Sequence, residues 1–252
     1  GVQHRITSEL KDSPNFKAIA AAGSHKGASN PEAALVRSLV GTWAGSSGDS
    51  NALSVAMQLA VRDTFGMKDG DLELAALTSL KDHGEEGSYL NAAKALGLPT
   101  TSGTATLKAG LKEFVAAQYR STQAYFKEKG ITEVSVVRGM RVGQGSDKAR
   151  EVNLKLQPAS SFSADLGIAR RFAGGRTLFA SKVPVSQVLG TYRTGFGCSN
   201  EHEVVVLAHS ELRAFAIGTS TSTAGGTGMA GLTAAVRARK SSTKTTTYPG
   251  SL

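Results

Sequence analysis

The hydrophobic period changes once along the chain, and that change constrains the fold more than any other feature. Over residues 104–130, Leu107, Leu111, Phe114, Val115, Tyr125 and Phe126 recur at three- and four-residue spacings, the stripe of an amphipathic helix. Immediately after Gly130 the period falls to two: over 131–142, Val134 and Val136 alternate with polar residues and lead to Arg138. Helical patterns lie upstream of this point and extended patterns downstream. Segregation of that kind predicts an α+β chain, a helical lobe followed by a β-rich lobe, rather than alternating βαβ units.

In the helical half, Asn30 is placed to cap a helix, Pro31 suits its first position, and Leu35, Leu39 and Trp43 follow at i+4. Ser50 is expected to cap a second helix running through Leu53, Met57, Ala60 and Val61 to Phe65, with Gly66 ending it. A shorter helix is expected over Leu72, Ala76, Leu77 and Leu80, and another near 89–96. Residues 1–29 show no sustained period and read as a leader. In the second half, 152–156, 177–183, 203–207 and 212–217 read as extended and 164–172 as helical. The domain expectation is therefore a leader (1–29), one domain (30–218, helical to 130 and β-rich from 131) and a tail (219–252). Ser, Thr and Gly fill 20 of the 35 positions from 218 to 252, a composition that buries little apolar surface.

Composition narrows the function classes. The 29 basic and 20 acidic residues give a net charge of +9. Five of those nine excess charges, Arg213, Arg237, Arg239, Lys240 and Lys244, follow the last acidic residue, Glu211. No run of eighteen apolar residues is present, so no transmembrane helix and no membrane partner are expected. A single cysteine, Cys198, excludes an internal disulfide, and the five histidines form no i, i+4 pair, so no metal is expected. Neither a P-loop nor a Gly-x-Ser-x-Gly elbow occurs. Gly226-Thr-Gly228-Met-Ala-Gly231 has the spacing of a dinucleotide loop, but only 21 residues follow it, too few to complete a βαβ unit.

Three features of the β-rich half are not what packing alone demands. Arg138 ends the apolar run Val134-Ser-Val-Val-Arg138, where a guanidinium needs an anionic partner, a structural carboxylate or a phosphate. Ser160-Ser161-Phe162-Ser163 leads into a helix; Ser163 suits its cap, whereas Ser161 has no capping role. Glu201-His-Glu203 opens the strand Val204-Val-Val-Leu207, and i, i+2 spacing on a strand sets both carboxylates on one side. Like charges so close are costly unless solvent, a cation or a substrate uses them.

Taken in this order and on these elements, the three features resemble the mono-ADP-ribosyltransferases of the Arg–Ser–Glu type, the clade of cholera toxin and the clostridial binary actin-modifying toxins. The resemblance covers about residues 104–212 and rests on Val137-Arg138-Gly139, Ser161-Phe162-Ser163 and Glu201-His202-Glu203. Phe172, eleven residues after Ser161, stands where the family places an aromatic ring against nicotinamide. Arg176 stands near a phosphate-contacting arginine of the toxins. Phe162 departs from the family's Ser-Thr-Ser, at a position that varies.

The resemblance implies a helical N-terminal lobe packed on a β-sandwich that binds NAD⁺, here a substrate. It implies that Arg138, helped by Arg176, clamps the pyrophosphate, and that Gly139, Ser163 and Phe172 complete the dinucleotide site. Glu203 would bond the ribose 2′-hydroxyl as the anomeric carbon becomes positive, as glycosidase carboxylates do, with Ser161 steering it. Glu201 would attract and help deprotonate the acceptor, which the family associates with protein arginine, in a target such as actin or a GTPase. Residues 190–200, with Tyr192 and Phe196, would meet that target. An effector delivered by a larger toxin or phage system, acting in the cytosol of a target cell, fits a chain without a visible signal peptide. The rival readings are transfer to nucleic acid, favoured by the charge, hydrolysis of NAD⁺ by the same residues, and a non-catalytic binding module.

Overall fold

The computed structural model describes residues 2–45, 51–74, 77–99, 104–140, 150–174, 177–208 and 212–218. The chain is mixed α+β, with seven α-helices and one seven-stranded sheet among the described residues. The helices α1 (Val2–Leu10), α2 (Pro14–Ala22), α3 (Pro31–Gly45), α4 (Ala52–Thr64), α5 (Thr78–Ala95) and α6 (Ala105–Lys129) come first. After α6 come the strands β1 (Glu133–Met140), β2 (Arg150–Asn153) and β3 (Ala159–Ser163), then α7 (Leu166–Ala173). The strands β4 (Thr177–Pro184), β5 (Val188–Thr191), β6 (Glu203–Leu207) and β7 (Arg213–Gly218) close the described fold.

Local chemistry accounts for several of the helix ends. The Asn30 side chain accepts from the Ala33 N–H at 3.0 Å, with Pro31 opening α3. Asn51 caps α4 by accepting from the N–H groups of Leu53 and Ser54, one residue after the expected Ser50, which lies outside the described residues. Gly130, at φ 64, closes α6 in the left-handed region. Of the short helix expected over 72–80, the described residues 72–74 and 77 are not helical, whereas 78–80 belong to α5. Leu72 instead makes a parallel bridge to Leu156, and α5 begins at Thr78, running through Gly84, where φ is 68, to Ala95. Residues 2–22, expected as a leader, form α1 and α2, and Ile6, Leu10, Phe16 and Ile19 are buried. The tail (219–252) and its glycine motif lie outside the described residues.

The strand order is β2-β7-β4-β1-β3-β6-β5, and the strand pairings are antiparallel. This is one sheet, not the expected sandwich, but it is deeply divided. Strand β1 pairs with β4 along eight residues, whereas β1 meets β3 at the single pair Val137–Ser163. The sheet is thus two halves, β2-β7-β4-β1 and β3-β6-β5, joined at one point.

Both faces of the β3-β6-β5 half are covered. Ala159, Leu189, Val205 and Leu207 join Leu35, Leu39, Leu59 and Phe114 of the helices in one core. Phe162, Val204 and Val206 pack on the other face with Phe126 and Val136. Burial on both faces explains why β6 reads as a continuous apolar run instead of alternating.

Candidate functional site

A cleft of ≈ 610 Å³ opens where β1 and β3 part, within the range of roughly 300–1,000 Å³ common for small-molecule and cofactor sites. Its walls include Arg138 and Gly139 from β1, Ser161 and Ser163 from β3, Phe172 from α7, and Glu201 and Glu203. Seven of the eight residues singled out in the sequence therefore line one cavity. Arg176 lies outside the described residues.

Glu203 is held tightly there. Only 3% of its surface is exposed. The Ser161 hydroxyl donates to Oε1, the Trp43 indole Nε1–H donates to the same oxygen at 3.0 Å, and the Cys198 backbone N–H donates to Oε2 at 2.6 Å. The pairing of β3 with β6 sets Ser161 opposite Val205 and Ser163 opposite Glu203, which brings the serine hydroxyl to the carboxylate by diagonal contact across the ladder. Strand alternation places Ser161, Ser163 and Glu203 on one face of this half-sheet.

Glu201 is arranged differently from the expected strand geometry. It ends a 3-10 turn (Ser199–Glu201), and His202, at φ 45, takes a left-handed conformation before β6 begins at Glu203. The two carboxylates share the cleft through this turn, not through i, i+2 alternation. Burial first, and the charge of Glu203 second, raise the Glu201 carboxyl above its ordinary value. The turn is held from below: Ser163 donates to the Glu201 carbonyl at 2.8 Å and accepts from the Asp165 N–H at 2.9 Å. Ser163 is consequently not the helix cap; Asp165 is, accepting from the Ile168 N–H. The serine run 160–163 is also a strand, not merely the approach to a helix.

Arg138 lies with its guanidinium carbon 5.8 Å from the centroid of the Phe162 ring, a cation–π distance. Gly139 is dictated by packing. A Cβ there would meet the Ala169 carbonyl oxygen at 2.0 Å and the Ala173 nitrogen at 2.4 Å, so only glycine lets α7 lie on β1. That approach places Phe172, 53% exposed, at the cleft. In the 190–200 loop, Phe196 is 2% exposed and packs on Trp43 and Phe114 at 5.0 and 5.8 Å. It is a core residue and not, as expected, part of a surface that meets a target. Tyr192 is half-buried and lies beside the exposed His202 at 5.0 Å.

Trp43 and Cys198 were not legible as site residues. The i+4 spacing of Leu35, Leu39 and Trp43 reads as a core stripe. The one available signal is chemical: an indole N–H taken out of water usually finds an acceptor.

Among the described residues no group of three or more His, Cys, Asp or Glu is placed to hold a metal ion, and no helix is long and apolar enough to cross a membrane. Compared with models of protein families, with curated proteins and with solved structures, the chain matches none.

Proposed function

We propose that the chain is a mono-ADP-ribosyltransferase, cleaving NAD⁺ at the nicotinamide–ribose bond and passing ADP-ribose to a protein acceptor, arginine by preference. The observation that carries this reading is the carboxylate of Glu203, buried at the wall of a cleft of suitable size and held by Ser161, with Arg138, Phe172 and Glu201 around the same cavity. Nicotinamide leaves NAD⁺ as a neutral group, so the chemistry needs stabilisation of an electron-poor ribose more than a strong acid. Glu203 supplies that by accepting from the 2′-hydroxyl, Arg138 holds the pyrophosphate, and Phe172 packs on the nicotinamide ring. Glu201, raised above its ordinary value, is suited to take a proton from the acceptor, since a base works best when its pKa lies nearer the working pH.

The test is transfer of label from NAD⁺ carrying it in the adenylate into the proteins of a cell lysate, beside Glu203→Gln. A labelled band that resists nuclease and is lost in the variant is expected. Label in nucleic acid would reassign the acceptor. Nicotinamide release without any label would leave a hydrolase, and neither event would leave a binding module.

A further inference from the structure

The site contains a residue from the helical half of the chain that has a defined task there. We infer that Trp43 is a positioning residue for Glu203, an inference that rests on the function proposed above. An ionised carboxylate offers about four lone-pair sites. Ser161 and Trp43 occupy both on Oε1, and the Cys198 N–H takes one on Oε2. One acceptor site remains, on Oε2, for a ligand hydroxyl. The three donors come from α3, β3 and the loop before β6, so the carboxylate cannot rotate about its terminal bond without breaking bonds to three separate segments. Indole and backbone N–H groups donate only, which makes the arrangement specific for an oxygen acceptor on each side.

Position and packing support the role. Trp43 is at the C-terminal end of α3, its ring lies 5.0 Å from that of Phe196, and it lines the cleft. It thus fixes the carboxylate from the helical side while Ser161 fixes it from the sheet side. The helical half is part of the site's machinery and not only a platform for it.

Because Trp43 is the only tryptophan in the chain, a single atom can be changed. Biosynthetic replacement of tryptophan by β-(3-benzothienyl)alanine exchanges the indole N–H for sulfur and keeps the ring; Trp43→Phe is the genetic counterpart. Nicotinamide release from NAD⁺ is measured for both, with circular dichroism and melting temperature to establish folding. The expected result is a fall in kcat of about 10- to 100-fold, the range for a hydrogen bond to a charged group, with KM for NAD⁺ within about twofold. In the folded wild-type protein, the single indole N–H resonance should move upfield in Glu203→Gln, where a weaker acceptor replaces the carboxylate. Unchanged kcat in the analogue protein, a change confined to KM, or an indole resonance indifferent to Glu203→Gln would overturn the role of Trp43 and leave the proposed activity standing. Absence of nicotinamide release from the wild type would overturn the proposed activity, and this inference with it.

Discussion

Val137 on β1 and Ser163 on β3 form the pair that joins the two halves of the sheet, and the cleft opens directly beyond it, between residues 138–140 of one strand and 160–162 of the other. The neighbours of that pair are the chemically distinctive residues: Arg138 and Gly139 follow Val137, Ser161 precedes Ser163, and Ser163 lies opposite Glu203. The split in the sheet and the placement of the polar groups are one feature.

Gly139→Ala should therefore be costly. Its Cβ would collide with backbone atoms of α7, which cannot swing aside as a side chain can. Overpacking of this kind typically costs about 1–3 kcal/mol, and displacement of α7 carries Phe172 with it. Thermal denaturation should show a lowered midpoint, and any NAD⁺ cleavage should weaken beyond what the loss of folded protein explains.

Glu203→Gln should lose both ADP-ribose transfer and NAD⁺ cleavage. The substitution also carries a structural cost that its small volume change conceals. Donors approach both carboxylate oxygens, so the amide nitrogen must face at least one N–H or O–H whichever way it is turned. An unsatisfied buried donor costs about 1–3 kcal/mol, and a chemical denaturation curve should reveal it.

Under the proposed function, Glu201→Gln should separate the two activities: transfer is lost while NAD⁺ cleavage largely survives, because only the proposed acceptor step would use this carboxylate. The same variant tests the raised pKa. A carboxyl whose folded value lies above its unfolded one stabilises the fold when protonated, and that contribution is lost as pH rises through the folded value. Glu201→Gln should consequently melt higher than wild type near neutral pH, with the advantage vanishing below about pH 4, where an ordinary glutamate is itself largely protonated. Melting curves at several pH values check this, and a constant difference across pH would contradict the assignment.

Deletion of residues 1–22 should abolish folding. Ile6, Leu10, Phe16 and Ile19 are each at most 3% exposed, and burying such side chains stabilises by about 1.5–3 kcal/mol each. Their summed contribution rivals the whole stability of an ordinary domain, about 5–15 kcal/mol. Loss of the cooperative melting transition is the expected observation; a truncated chain that melts like the full one would show this region to be dispensable.

How far the sequence reaches is clearest in particular elements. The long helix α6 was legible because its stripe is sustained and Gly130 closes it, and β6 because four apolar residues in a row suit a strand buried on both sides. Strand β3 was not: Ala-Ser-Ser-Phe-Ser has no alternation strong enough to distinguish it from a loop, and its identity comes from pairing with β6. The helices α1 and α2 were missed because each is nine residues long, too short for a period to emerge. Arg138, Ser161, Ser163, Glu201 and Glu203 stood out from local motifs and Gly139, Phe172 and Arg176 only through the family resemblance; the structure places the seven described ones around one cleft. Trp43 did not stand out, because its hydrogen bond to Glu203 spans 160 positions and no local spacing encodes it. The left-handed turn at His202 likewise follows from the loop that Glu203 and Cys198 close, not from the identity of the residue.

The most direct measurement is nicotinamide release from NAD⁺ by the purified protein, followed by chromatography, with Glu203→Gln alongside. The account predicts steady release by the wild type and a loss of about a hundredfold or more in the variant, a size typical when a group that stabilises developing transition-state charge is removed. No release by a folded wild-type protein, or equal release by both, would contradict it.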